Sequence, residues 1–240
     1  MAKKGEDKKL KRLAASKKRH ILRKEYKWTI KGKPRISLQN SVPLGVVIRD
    51  MLGLAEVLKE VKFILHNNSV LVNGIRRKDY KFTVGLFDLV EFPEIKKRYR
   101  VVLDNRGRLK LREEDISKSP TKIVRIENKV CYKGKIQLQF DDSHTCLFDQ
   151  TELKIGDCLL VSLPEYKILE ELKLEKGNIA YLTSGKHAGK LARIIDITKG
   201  GIRKHKEVVL EEKGEQFQTV LKNVYVVGKK EPVIELGVGK

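Results

Sequence analysis

The chain has 240 residues, of which 52 are Lys or Arg and 31 are Asp or Glu, giving a formal net charge of +21 and a pI near 9.8. This surplus predicts a polyanionic partner, in the first place nucleic acid and as the weaker alternative an anionic membrane surface. The three cysteines lack Cys-x-x-Cys spacing, and no apolar run approaches the roughly 20 residues of a membrane span. We therefore expect an intracellular protein without a membrane anchor, a metal or another cofactor.

Residues 1–40 are predicted to form a basic N-terminal extension. Residues 1–35 carry 15 Lys and Arg residues against three acidic residues. Mutual repulsion and low apolar content predict a segment that is largely disordered in isolation and orders on a polyanion, with a solvated tail as the plain alternative. Trp28 is expected either to stack on a nucleobase or to anchor the segment on the next domain. The candidate RNA contacts here are Lys9, Lys11, Arg12, Lys17, Lys18, Arg19, Arg23 and Lys24.

Residues 41–105 are predicted to form a small RNA-binding module of two helices and several strands. Ser41 is a candidate N-cap for a helix that runs to about Met51. A second, amphipathic helix is expected to end near residue 66. Its apolar residues recur at the spacing of one helical face: Leu54, Val57, Leu58, Val61, Ile64 and Leu65.

An Asn73-Gly74 turn follows the helices, between a strand at Val70–Val72 and a final strand at Phe87–Phe92. Three cations come directly after this turn, although a turn does not need them. They predict an outward surface that faces negative charge. The candidate RNA contacts of the module are Arg76, Arg77 and Lys78 in the turn region, with Arg49, Lys59 and Lys62 from the helices.

The rest of the chain is predicted to form two small antiparallel β-barrel-like domains, at 106–172 and 173–240, so that the fold class is α+β and multi-domain. The expected strands of the central region are Tyr99–Leu103, Ile123–Ile126, Ile136–Phe140 and Cys158–Val161. Its second half is rich in acidic residues, which argues against a phosphate contact there. These are Asp141, Asp142, Asp149, Glu152 and Asp157, and residues 141–144 are expected to be a solvated hairpin loop.

Residues 184–194, SGKHAGKLARI, do not form a nucleotide-binding P-loop. Three residues instead of four separate Gly185 from Gly189, and Leu191 stands where a hydroxyl residue is needed. The segment resembles the KOW motif, a strand–loop–strand signature of small SH3-like barrels in ribosomal proteins and transcription factors. The resemblance implies that Lys186, Lys190 and Arg193 contact phosphates.

The stretch around Asn73-Gly74 resembles the S4-type RNA-binding domain, in which the turn and the preceding helices form a basic face for structured RNA. The matching residues are Val70, Val72, Asn73, Gly74, Val84, Gly85 and Asp88. Residues 9–15, 84–90 and 217–229 resemble segments of the S4e family of small-subunit ribosomal proteins, found in archaea and eukaryotes. With the KOW-like segment, these matches extend over essentially the full chain, and the lack of insertions favours an archaeal member.

The resemblance implies a structural constituent of the small (30S) ribosomal subunit that binds rRNA and supports subunit assembly and translation in the cytoplasm. The implied partners are small-subunit rRNA and neighbouring ribosomal proteins, with no membrane, no small-molecule substrate and no catalysis. Two alternatives stay open. An RNA-modifying enzyme with an appended S4-type domain needs a sizeable catalytic domain, whereas residues 105–240 offer two small β modules. A KOW-containing transcription elongation factor does not need the basic extension.

Overall fold

The computed structural model describes residues 9–37, 40–198, 201, 206–212 and 214–236. Within these ranges the protein is mostly β, with two α-helices and many short strands. It divides into two compact units, which we call unit 1 (Met1–Val102 with Arg108–Pro120) and unit 2 (Leu103–Gly107 with Thr121–Lys240). Residues 1–8 of the predicted extension and residues 237–240 lie outside the described residues.

Unit 1 contains one five-stranded antiparallel sheet and two smaller two-stranded sheets. Its helices are α1 (Leu44–Val46) and α2 (Leu58–Asn67). Its strands are β1 (Leu10–Lys11), β2 (Trp28–Thr29), β3 (Ser41–Pro43), β4 (Leu71–Val72), β5 (Ile75–Arg76), β6 (Thr83–Gly85), β7 (Leu89–Phe92), β8 (Lys97–Leu103, whose last residue belongs to unit 2) and β9 (Leu109–Glu114). The large sheet has the order β5-β4-β7-β8-β9, and the small sheets are β1-β2 and β3-β6.

The first predicted helix is present, but Ser41 is not its N-cap. Ser41 lies in β3, and its hydroxyl donates to the carbonyl of Ser37 at 3.0 Å. Pro43 occupies the cap position, and α1 continues into a π-helical turn at Val47–Met51. Every residue of α1 is buried, so packing against the core stabilises this start in place of a side-chain cap.

The second helix, α2, begins at Leu58, later than the apolar spacing predicts. Val61 and Leu65 are buried as expected, but Leu54 and Val57 precede the helix and are exposed. The carboxylate of Glu60 accepts hydrogen bonds from the backbone N–H groups of Glu56 and Val57, at 2.8 and 3.4 Å. These bonds satisfy donors at the helix start, which fixes the boundary there.

The N-terminal extension is folded into unit 1 over its described residues, in contrast to the predicted disordered segment. The buried guanidinium of Arg19 donates to the carbonyl of Ser41 at 3.0 Å, and the N–H of Leu109 donates to the carbonyl of Lys18 at 2.7 Å. Ile30 is buried. Hydrogen bonds from arginine side chains thus satisfy backbone carbonyls of this segment, which has few apolar residues. Composition does not reveal this contribution.

Unit 2 is built from two five-stranded antiparallel sheets. Their orders are β12-β11-β10-β13-β14 and β18-β17-β16-β15-β19. The strands are β10 (Thr121–Tyr132), β11 (Lys135–Phe140), β12 (Thr145–Phe148), β13 (Cys158–Ser162), β14 (Lys167–Leu172), β15 (Ile179–Leu182), β16 (Leu191–Thr198), β17 (Glu207–Glu212), β18 (Glu215–Val220) and β19 (Val224–Gly228). The four strands predicted for the central region lie within β8, β10, β11 and β13, whereas β9, β12 and β14 were not predicted.

The loop between β11 and β12 is a hairpin turn as predicted, but the side chain of its Asp142 is not solvated. Asp142 is buried and accepts hydrogen bonds from Lys122 Nζ at 2.6 Å and Tyr166 Oη at 2.8 Å. Burial alone would raise the pKa of Asp142, but hydrogen bonds from His144 and the charge of Lys122 lower it well below the ordinary value. Asp157 is also buried, so part of the predicted acidic surface belongs to the interior of unit 2.

Candidate nucleic-acid interface

The turn between β4 and β5 presents the cations that the sequence singles out. Asn73 and Gly74 both have positive φ, 54° and 76°, which is the conformation of a type I′ hairpin turn. Leu71 pairs with Arg76 across this turn. The strand pairing therefore fixes where Arg76 and the residues after it leave the sheet.

A buried hydrogen-bond network holds this turn in place. The fully buried carboxylate of Asp88 accepts from Asn73 Nδ2 at 2.8 Å and from the N–H of Gly85 at 2.7 Å. It also pairs with Arg35 Nη2 at 3.0 Å, and Asn73 Oδ1 accepts from the N–H of Leu89 at 2.9 Å. Asn73, Gly85 and Asp88 of the S4-type pattern thus form the framework that positions the turn.

The three cations after the turn differ in their surroundings. Arg76 and Lys78 are exposed, and Arg76 Nη2 donates to the carbonyl of His66 at 3.1 Å. Arg77 is half-buried, with its guanidinium carbon 4.5 Å from the centroid of the Phe82 ring. Arg35 lies 4.8 Å from the same ring, so Phe82 has two cations beside it.

Of the helix-region candidates, two remain available to an external anion. Lys59 and Lys62 on α2 are exposed, and Lys62 Nζ lies 5.2 Å from the Tyr80 ring. Arg49 instead pairs with Asp50 through two hydrogen bonds, of 3.0 and 2.9 Å, and this partner raises the pKa of Arg49. Because Asp50 compensates the charge of Arg49, we remove Arg49 from the contact set.

The N-terminal candidates fall into an exposed group and an internal group. Arg12 and Arg19 are buried and bind backbone carbonyls, Arg12 that of Leu22 and Arg19 that of Ser41. Arg23 is half-buried and donates to four backbone carbonyls between residues 12 and 16. These three arginines therefore bind backbone carbonyls within unit 1, and an RNA contact from any of them stays a prediction.

Lys18 is intermediate between these groups. Its amine donates to Asn40 Oδ1 at 2.8 Å, and partial burial lowers its pKa. Four of the candidate lysines of the segment are exposed and lie free of such internal bonds among the described contacts: Lys9, Lys11, Lys17 and Lys24. Because their amines reach solvent, they can meet phosphates directly.

Three aromatic rings of unit 1 each lie beside two cations, a feature that was not predicted from the sequence. Trp28 is 45% exposed, and Lys9 and Lys27 lie 5.6 and 5.3 Å from its ring. The Tyr80 ring is flanked by Lys62 and by Lys81, the latter at 5.6 Å, and Phe82 by its two arginines. The sequence carries a signal for this in the tripeptides YKW at 26–28 and YKF at 80–82.

The KOW-like loop of unit 2 offers fewer free cations than predicted. Lys186 and Arg193 are exposed. Lys190 Nζ pairs with Glu212 at 2.8 Å, and Glu212 also contacts His187 at 3.1 Å. A Cβ at Gly189, which has φ 83°, would lie 2.1 Å from the carbonyl oxygen of Asp104, so this position requires glycine.

The two units differ sharply in charge. Unit 1 contains 30 Lys and Arg residues against 13 Asp and Glu, a net charge of +17, and unit 2 contains 22 against 18, a net charge of +4.

No helix in the described parts of the chain is long and apolar enough to cross a membrane. Nor do three or more His, Cys, Asp or Glu side chains of those parts gather as metal ligands would. The candidate site is therefore an electrostatic surface on unit 1.

Comparisons with known proteins give a consistent result. The family model described as "Ribosomal family S4e" matches residues 95–168. The small ribosomal subunit protein eS4 of Methanosphaera stadtmanae is 40% identical over 239 residues, 98% of each chain. The protein of that name from Methanocaldococcus jannaschii is 38% identical over 248 residues, 98% of this chain and 100% of that one. The crystal structure of the 30S ribosomal protein S4e from Thermoplasma acidophilum has 33% identity and a TM-score of 0.68, covering 79% of this chain and 96% of that one.

Proposed function

The chain belongs to the ribosomal family S4e, and from this membership we propose that it holds small-subunit ribosomal RNA chiefly through unit 1. It is a structural, non-enzymatic constituent of the small ribosomal subunit and acts in the cytoplasm, with rRNA and neighbouring ribosomal proteins as partners. The relatives match along their whole lengths, so we set aside the RNA-modifying enzyme and the transcription elongation factor.

The observation that carries the proposal is the net charge of +17 on unit 1. Lys and Arg side chains that reach phosphates release the counterions condensed on RNA, so binding is favourable and weakens steeply as salt rises. The exposed ring of Trp28 adds a flat apolar surface on which an unpaired base can stack. Folded RNA is bound by its shape and by phosphate and 2′-hydroxyl contacts, which suits a basic surface without a defined pocket.

The proposed contact set follows from exposure and internal pairing. In unit 1 it consists of Lys9, Lys11, Lys17, Lys24, Lys27, Trp28, Lys59, Lys62, Arg76, Arg77, Lys78 and Lys81. Lys18 contributes more weakly because its amine already bonds Asn40. In unit 2 the set contains Lys186 and Arg193, whereas Glu212 already occupies Lys190.

We also infer the finer architecture that the sequence predicts. It comprises an extension at 1–40, an S4-type RNA-binding domain at 41–105, a central β domain at 106–172 and a KOW barrel at 173–240. Strand β9, at the start of the predicted central domain, belongs to the large sheet of unit 1. The Asn73–Asp88 network supports the second part, because it rigidly places the turn that the S4-type pattern marks. The glycine requirement beside Asp104 supports the loop geometry of the fourth part.

Gradient fractionation tests the proposed function. The tagged full chain, expressed in the source cells, should sediment with the small subunit at a magnesium concentration that keeps subunits intact. It should leave the subunit in a high-salt wash, because its attachment is electrostatic. A chain that stays at the top of the gradient under subunit-preserving conditions would overturn the proposal.

A further inference from the structure

We propose that the uncharged face of the β10–β11–β12 sheet in unit 2 is a docking surface for an extended segment of a neighbouring small-subunit protein. This inference rests on the proposed function, since it presumes that the chain is part of the subunit. It names a second surface, separate in composition from the basic surface of unit 1. The occupant is a protein strand of largely uncharged side chains.

Strand register defines this face. Val130 of β10 lies opposite Gln137 of β11, which lies opposite Leu147 of β12. One row further along, the same three strands pair Asn128, Gln139 and Thr145. Residues directly opposite each other in a sheet point to the same side, so these six side chains form one continuous surface. We call it the neutral face.

The neutral face is exposed and contains large apolar groups. Val130 and Leu147 are exposed, and so is Tyr132 at the end of β10. The opposite side of the sheet holds the buried residues Leu138 and Phe140 and packs into unit 2. The neutral face is therefore the solvent side of the sheet, where polar and charged residues would normally stand.

Lys133 lies at the hairpin tip, 5.3 Å from the Tyr132 ring, and two other lysines near the neutral face are already bound. Lys135 pairs with Asp149 at 2.9 Å. Lys129 points to the other side of the sheet, where its amine donates to the carbonyls of Thr151 and Leu153 at 2.9 and 3.1 Å. In a chain with 35% charged residues, a face without a charged side chain in its two rows does not suit RNA phosphates. The face combines the apolar Val130 and Leu147 with four uncharged polar side chains, and depletion of charged residues is typical of the core of a protein interface.

The edge of this sheet also offers backbone hydrogen bonds. β12 is the last strand of its sheet. The N–H of Phe140 bonds the carbonyl of His144, and because bonding alternates along an antiparallel pair, the N–H and C=O groups of Thr145 and Leu147 point away from β11. Leu147 thus presents an exposed side chain and outward backbone groups together. A strand added at this edge would use both, the mode of recognition called β-augmentation.

The two edges of the sheet differ in a way that supports this assignment. β14, the opposite edge, carries Lys167, Glu170 and Glu171, and charged residues on an edge strand prevent unwanted strand pairing. β12 reads Thr-Cys-Leu-Phe and has no charged residue. An unprotected, exposed edge is an aggregation hazard unless a partner covers it. Strand β12 is therefore the edge that a partner occupies.

Photocrosslinking in the assembled subunit tests the occupant. Leu147 is replaced by p-benzoylphenylalanine in the full chain, which is then incorporated into small subunits from cognate rRNA and total small-subunit proteins. We expect the crosslink at position 147 to go to a ribosomal protein. The same group at Ile75, which is exposed beside Arg76, should crosslink to rRNA. A crosslink from position 147 to rRNA, or none at all, would overturn the proposal.

A matched pair of substitutions gives an independent readout. Leu147 and Leu169 are each 56% exposed and lie on opposite edge strands of one sheet. Leu147→Lys should weaken incorporation into the subunit by about tenfold, because it places a charge in an apolar contact, whereas Leu169→Lys should change it less than about twofold. Equal effects of the two substitutions would contradict the docking surface.

Binding to protein-free rRNA separates this inference from the proposed function. Both variants should bind rRNA as the unsubstituted chain does, because unit 1 is unchanged. If the unsubstituted chain itself fails to bind rRNA or to enter subunits, the proposed function fails. If it does both and position 147 contacts no protein, only the docking surface is wrong.

Discussion

Units 1 and 2 differ in net charge, although both pair buried cations with carboxylates. In unit 1 the buried guanidinium of Arg100 pairs with Glu114 at 2.8 Å, whereas the guanidinium groups of Arg19 and Arg23 donate to backbone carbonyls. In unit 2 the buried amine of Lys122 pairs with the carboxylate of Asp142, and Arg125 pairs with Glu127 at 3.3 Å. A carbonyl satisfies a hydrogen-bond donor but does not cancel its charge, whereas a carboxylate does both.

The net charges follow from the residue counts of the two units. Unit 1 has 30 Lys and Arg residues against 13 Asp and Glu residues, a net charge of +17, and unit 2 has a net charge of +4. An uncompensated surplus destabilises a compact state through self-repulsion and is relieved by a bound polyanion. This surplus favours the proposal that unit 1 holds the RNA, whereas unit 2 is electrostatically nearly self-sufficient.

Removing residues 1–35 should have the largest effect and should act on unit 1 alone. The deletion removes buried Ala15 and Ile30 and the bond from Arg19 to Ser41, so we expect a loss of about 4 kcal/mol or more in the stability of unit 1. It also removes 15 of the 52 basic residues, so rRNA affinity should fall by about a hundredfold or more. Thermal unfolding and filter binding measure the two effects. Unchanged unfolding would mean that the extension is a separate tail.

Replacing Asp142 by Ala should destabilise unit 2 while leaving RNA binding intact. The substitution leaves the buried amine of Lys122 without its carboxylate, which costs about 3 kcal/mol. Denaturant unfolding should show the loss in one of two transitions. Below the unfolding temperature, rRNA affinity should match that of the unsubstituted chain. A large loss of rRNA affinity would contradict the proposal that unit 1, and not unit 2, binds the RNA.

The same carboxylate should make unit 2 sensitive to acid. Because the pKa of folded Asp142 is well below its ordinary value of 3.8, its stabilisation is present at neutral pH and is lost as the pH falls below about 4. Asp142→Asn should be less stable at pH 7 and lose less on acidification. Asp141 is the control. Burial raises its pKa, so acidification should increase, not decrease, the contribution of Asp141 to the stability of unit 2.

Substituting Trp28 tests whether an aromatic surface assists the charges of unit 1. Trp28→Ala should weaken rRNA binding by about 1–3 kcal/mol if a base stacks on the ring, and Trp28→Phe should restore much of the loss. Tyr132 of unit 2 is a matched control, since it is 50% exposed and has Lys133 at 5.3 Å from its ring. Tyr132→Ala should leave affinity for protein-free rRNA unchanged. Equal losses at both positions would contradict a role specific to Trp28.

The smallest effects are expected in the KOW-like loop. Lys186→Ala should reduce the slope of log affinity against log salt by about 0.7 at most, which is the value for one phosphate contact. Lys190→Ala should leave the slope unchanged and cost only about 0.5 kcal/mol of stability, because Glu212 already pairs with this amine. A larger slope change for Lys190 than for Lys186 would show that RNA displaces the ion pair.

The features that the sequence predicts well are those determined locally. Asn73-Gly74 forms its hairpin turn because both residues tolerate positive φ, and Val61 and Leu65 are buried because their spacing matches one helical face. The strands of β10, β11 and β13 follow apolar runs. Strands β9 and β14 were missed because charged residues interrupt the apolar alternation of LKLREE and KILEEL.

The features that the sequence did not predict depend on contacts between distant residues. Lys122 and Asp142 are 20 positions apart, so the loop at 141–144 reads as solvated although its carboxylate is buried. A basic segment shows only its charge, so the sequence did not predict the backbone carbonyls that Arg12 and Arg19 bind. Exposure, rather than charge, therefore decides which cations can meet RNA.

The salt dependence of rRNA binding tests the central claim most directly, through two matched triple substitutions in the full chain. Arg76, Arg77 and Lys78 of unit 1 are replaced by Ala in one variant, and the exposed Lys154, Lys229 and Lys230 of unit 2 in the other, so that each loses three positive charges. The unit 1 variant should flatten the slope of log affinity against log salt by about 2, and the unit 2 variant by less than about 0.5. Equal changes in the two slopes would contradict the claim that unit 1 carries the RNA interface.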